Sequence, residues 1–76
     1  MSLLVAIIVA LVERHGEARV AVFGDWVAVQ PAEGSLVRVH SDEAEDLLWR
    51  AVRALGDRYV VTGTDADEVV RLRRAA

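Results

Sequence analysis

The chain of 76 residues contains no cysteine. It therefore has no disulfide to staple it, no thiolate nucleophile and no thiolate zinc site. It contains no lysine either: all nine Lys/Arg positions are arginine. That removes Schiff-base chemistry and the phosphate-loop lysine, and it is the bias expected of GC-rich coding in a prokaryote or phage. Proline occurs once and aromatic residues make up 5 %, so the apolar mass is Val, Ala and Leu. Positive charge is not in excess. With a net charge of −3 and a pI near 5.2, no global field draws the chain to nucleic acid or anionic membrane.

No apolar run is long enough to span a bilayer. Leu3 to Val12 is unbroken, but at 1.5 Å per residue it covers about 15 Å, half of a hydrocarbon core. Met1-Ser2 puts no positive side chain ahead of it, as an export signal requires. The expectation is a cytoplasmic protein with no membrane contact. Catalytic signatures are equally absent. His40-Ser41-Asp42 carries hydrolase letters, but consecutive residues cannot hydrogen-bond in the order of a triad, and no glycine-framed elbow surrounds Ser41. His15, His40 and the acids lack metal-ligand spacing. No catalytic residue, metal or cofactor is expected, and no motif carries a family resemblance.

What the chain has is oil. Hydrophobic residues make up 54 % before the 5 glycines are counted, and the total exceeds the roughly 45–50 % of an ordinary soluble domain. A single domain spanning 1–76 has room to bury only about 60 % of its unfolded surface. The opening run is apolar on every side, and such a helix needs cover on every side. Together these features predict burial against a second copy or another protein.

Periodicity divides the chain into elements. Ser2 to His15 reads as a helix closed by Gly16 in a left-handed cap, with a buried strand as the alternative. Its bulky side is Leu4, Ile7, Ile8, Leu11 and Val12. The opposite side carries Ser2, Ala6, Val9, Ala10 and Glu13. Arg19 to Gln30 reads as a hairpin turning at Gly24-Asp25. That register pairs Val22 with Val27 and Val20 with Val29 on a core face, and Phe23 with Trp26 and Ala21 with Ala28 on the other. Leu36 to His40 is a third strand whose register is open by one residue, with Val37 and Val39 favoured inward over Leu36 and Arg38. Ser41 or Asp42 caps a helix ending at about Leu55, Asp42 and Glu45 having the spacing of a capping box. Arg58 to Thr62 is a fourth strand, and Thr64 caps a last helix running to Arg74, acidic at its start and basic at its end. The predicted fold is α+β in the order αβββαβα: helix, three-stranded antiparallel meander, helix, fourth strand and C-terminal helix, with the helices mainly on one sheet face. The third and fourth strands would be parallel neighbours joined by a right-handed crossover.

Three sets of residues are candidates for function. Ala6, Val9 and Ala10 on the first helix, with Phe23, Trp26 and Trp49, would form a partner interface. Trp49 sits off its helix's apolar stripe, either folded over the core or presented as an anchor. Phe23 and Trp26 are either a cross-strand pair or the centre of an interface. His40, Ser41, Thr62 and Thr64 would line a ligand crevice at the ends of the two parallel strands. Arg50, Arg53, Arg71, Arg73 and Arg74 would form a basic strip on the outer helices. The reading favoured is a non-enzymatic interaction module (adaptor, inhibitor or assembly subunit), homo-oligomeric or partner-bound. A nucleic-acid regulator using the arginines and a small-ligand binder using the crevice are the alternatives.

Overall fold

The first helix, α1 (Leu3–His15), is closed at both ends as its termini demand. In the computed structural model, which describes residues 2–64 and 69–75, Ser2 Oγ accepts the Val5 N–H at 3.2 Å. Gly16 ends the helix at φ +74°, and its N–H donates to the Val12 carbonyl. That left-handed cap suits glycine, which has no Cβ to clash. The chain then turns into β1 (Glu17–Phe23) and β2 (Trp26–Pro31). Gly24, with φ +54°, makes the tight turn, and the register matches the sequence reading pair for pair, from Phe23 opposite Trp26 to Val20 opposite Val29. β3 (Val37–His40) pairs with β2, its valines opposite Val27 and Val29.

α2 (Ala44–Leu55) follows. The expected capping box does not form. Glu43 takes the N-cap position with no side-chain cap bond, while Ser41 Oγ accepts the Glu43 N–H at 3.1 Å. The turn ahead of the helix uses the hydroxyl, and the helix starts later in consequence. Gly56 ends it, and a 3-10 turn (Gly56–Arg58) leads into β4 (Tyr59–Thr64).

The C-terminal helix is the main correction. Residues 65–68 lie outside the described residues, and Val70–Arg74 is a strand, β5. Thr64 belongs to β4 and pairs with Val70 rather than opening a helix. The physical reason is a period of two: Val70 and Leu72 are buried while Arg71, Arg73 and Arg74 are exposed. Pairing with β1 on one side and β4 on the other, with Val70 and Leu72 in the core, outweighs the charge gradient that reads as a helix dipole.

β5 inserts between β1 and β4, giving one five-stranded sheet in the order β3-β2-β1-β5-β4. Every neighbouring pair is antiparallel. The fold remains α+β, but β3 and β4 lie at opposite edges instead of forming a parallel crossover. At about 4.8 Å per strand step they are roughly 19 Å apart.

α1 and α2 pack on each other and on β1 and β2. Val5, Ile8, Val9 and Val12 bring α1 into a core shared with Leu47, Leu48 and Leu55 of α2 and with Val20, Val27, Val29, Val70 and Leu72 of the sheet. α1 is therefore rotated from the expected orientation. Val9, assigned to the outer small face, is core, and Ile7, assigned inward, is exposed. One helix side must serve both the sheet and α2, and the contiguous stripe at 5, 8, 9 and 12 does so. Leu3, Ile7, Ala10 and Arg14 are left facing outwards.

Candidate functional site

Strand pairing fixes what the other face of the sheet carries. Successive side chains alternate between faces and cross-strand partners share one. With the buried valines under the helices, the alternate residues stand on the side away from them. The registers arrange these in rows. The first is Phe23–Trp26–His40, across β1, β2 and β3. The second is Ala21–Ala28–Arg38 on the same strands. The third is Arg71–Arg19–Gln30 across β5, β1 and β2. The fourth is Val60–Arg73–Glu17 across β4, β5 and β1. Rows are spaced by two residues, about 6.6 Å.

Among the described residues no element covers these rows. Phe23 is 60 % exposed and Trp26 40 %. Two β3 side chains brace Trp26: the His40 ring meets it at a steep angle with centroids 4.8 Å apart, and the Arg38 guanidinium carbon lies 5.3 Å from its ring centroid. The contact between cation and ring face is worth about 0.5–1 kcal/mol at such a site, and it places a positive charge beside the ring. Ala21 and Ala28 are shielded from water although they face outwards. Their methyl groups floor a trough between the ring row and the arginine row, so a ligand backbone can come close to the strands there.

In the third row Arg19 and Arg71 stand directly opposite one another. Among the described residues Arg19, Arg38 and Arg73 form no ion pair. A groove of about 480 Å³ borders this row, lined by Glu17, Arg19, Gln30, Pro31, Thr62 and Arg71. Gln30 Nε2 donates to the Pro31 and Gly34 carbonyls, each at 3.1 Å, which ties the β2–β3 loop to the groove's rim. Thr62 Oγ1 donates to the Arg71 carbonyl at 3.4 Å, where the β4–β5 register shifts.

The three sets taken from the sequence are divided by the fold. Of the interface set, Phe23 and Trp26 stand together on the open sheet face, whereas Trp49 and Ala10 are exposed on the helix layer behind it. Ala6 is half-buried and Val9 is core. The crevice does not exist, because His40 and Ser41 lie at the β3 edge and Thr62 and Thr64 at the β4 edge. The intervening strands β2, β1 and β5 separate them. The basic strip splits as well. Arg50 pairs with Asp46 at 2.8 Å on α2, where Arg53 also lies. Arg71 and Arg73 are on the open sheet face. Arg74 Nη2 donates to the Glu13 carbonyl at 2.8 Å, at the C-terminal end of α1 where a cation is favoured.

Arg19 and Arg38 were absent from every set. The signal for them lies in the hairpin register: continuing it from Ala21–Ala28 by one more row gives Arg19–Gln30, on the same face as Phe23 and Trp26. Among the described residues, no group of His, Asp or Glu is placed to hold a metal ion, and no helix is long and apolar enough to cross a membrane. The chain matches no protein-family model, no curated protein and no solved structure.

Proposed function

We propose that this chain is a non-enzymatic interaction module whose working surface is the open face of the sheet. The observation that carries the reading is the exposed Phe23–Trp26–His40 row beside Arg19 and Arg38, on a layer that nothing covers among the described residues. A soluble protein that only needed to fold would place polar residues on that side of an antiparallel sheet. Exposed aromatic rings, Trp above all, are the usual anchors of an interface. Self-pairing of this face is disfavoured, because it would bring arginine rows against each other. A partner carrying negative charge fits it.

A second copy fits elsewhere. Leu3, Ile7 and Ala10 form an outward stripe on α1 without a charge until Arg14, and such a stripe pairs with itself about a two-fold axis without burying an unpaired ion. Sedimentation should then show a dimer that Ile7→Glu converts to monomer. A wild-type monomer at high micromolar concentration would remove this part of the reading.

The main test places a photoreactive amino acid at position 26 and, separately, at position 49 in the native host. The module should cross-link to another macromolecule from position 26 and not from position 49. Adducts from position 49 alone, or from neither position, would overturn the assignment of the working face.

A further inference from the structure

We infer that the open sheet face binds single-stranded nucleic acid, with bases stacked on Phe23 and Trp26 and phosphates held by Arg38, Arg19 and Arg73. This rests on the open face being the working surface and names the partner's chemistry.

Each part of the face corresponds to a requirement of single-strand binding. Such proteins pair aromatic platforms with a positively charged track for the backbone. Here the platform is a row running across β1, β2 and β3, and its two exposed rings are neighbours across the hairpin. The track starts one row below with Arg38 and continues to Arg19 and then to Arg73, which stands opposite Glu17. Arg38 belongs to both parts, since it already lies against the Trp26 ring. The alanine floor between the rows leaves room for the sugar-phosphate backbone. Arg38, Arg19 and Arg73 stand on β3, β1 and β5, each one row further along, so the phosphate track crosses the strands obliquely.

The face also explains what it would refuse. A duplex keeps its bases stacked inside, out of reach of rings on a sheet. No helix projects from this face to enter a major groove, because both helices of the described residues pack on the opposite side. An acidic peptide would satisfy the arginines but leave Phe23 and Trp26 without flat partners.

The test is fluorescence anisotropy of a labelled oligothymidylate of roughly ten nucleotides, a length on the scale of single-strand sites. Three arginine–phosphate contacts predict a slope of about −2 in log K against log salt, or roughly a twentyfold loss between about 50 and 200 mM. Trp26→Ala and Phe23→Ala should each weaken binding about tenfold, and circular dichroism will show whether each variant is folded. The second ring keeps the test decisive should one variant fail to fold. Arg19→Ala with Arg38→Ala should flatten the salt slope to about −0.7, and Trp49→Ala should change nothing. An abasic oligomer of the same length and polyglutamate complete the set. Absence of binding at low salt would overturn the proposal. So would equal affinity for the abasic oligomer or polyglutamate, or indifference to both ring variants. Cross-linking from position 26 to protein alone, with no oligonucleotide bound, would leave the working face assigned and remove nucleic acid as its partner.

Discussion

Ile7 and Ile8 are adjacent in the chain and opposite in role. Ile8 is fully buried among the helix and sheet valines, while Ile7 faces outwards beside Leu3. Truncating each therefore tests the orientation of α1 directly. Ile8→Ala should lower stability by about 2–5 kcal/mol, the transfer and cavity cost of a core aliphatic residue. Ile7→Ala should lower it by less than about 1 kcal/mol. Urea unfolding midpoints measure both, and equal losses would mean that α1 is turned the other way. A similar division applies to the tryptophans. Trp26 is braced by His40 and Arg38 on the sheet, and Trp49 stands on the helix layer. The two rings stand on opposite layers of the molecule.

At the level of elements, β5 decides what the molecule is. Its insertion beside β1 brings Arg71 and Arg73 to the face that Phe23 and Trp26 already occupy, and it moves β4 to the far edge from β3. Because the chain has no cysteine, this pairing is open to a clean test. Glu17→Cys with Arg73→Cys, directly opposite in the register, should cross-link on oxidation, since opposed strand positions fall within disulfide reach. Glu17→Cys with Arg53→Cys should not. Failure of the first pair would point back to a C-terminal helix. The elements legible in sequence were those with strong local signals: α1 between Ser2 and Gly16, the Gly24-Asp25 hairpin with its register, the inward valines of β3, and the end of α2 at Gly56. β5 was not, because acids ahead of a basic segment imitate a helix dipole while Val70-Arg71-Leu72-Arg73 alternates too briefly to outweigh them. Strand order followed that error. Strand neighbours are chosen by long-range pairing, which a reading of adjacent residues does not contain, and the supposed His40–Thr62 crevice fell with it. The rotation of α1 was hidden for a different reason. An apolar run with no polar side gives no preferred phase.

The molecule as a whole divides its surface by chemistry. Its accessible surface is 4826 Å², close to the roughly 4,600 Å² expected of a folded monomer of this mass. The chain is thus about as compact as an ordinary folded monomer of its mass and still leaves Leu3, Ile7, Phe23, Trp26 and Trp49 in contact with water. That excess is distributed on two sides, an aliphatic stripe on α1 and an aromatic, arginine-flanked row on the sheet. The net charge of −3 conceals the second of these. Arg19, Arg38, Arg71 and Arg73 share the open face with Glu17, whereas Asp42, Glu43, Glu45 and Asp46 gather at the start of α2. Local arrangement, not total charge, sets what such a face attracts. The account turns on that face being where the molecule meets its ligand, and the indole N–H resonances of the two tryptophans report it most directly. On titration with oligothymidylate at low salt, the Trp26 signal should shift progressively and saturate while the Trp49 signal stays in place. Movement of Trp49 with Trp26 unchanged would contradict it, and no movement of either would remove nucleic acid as the ligand of that face.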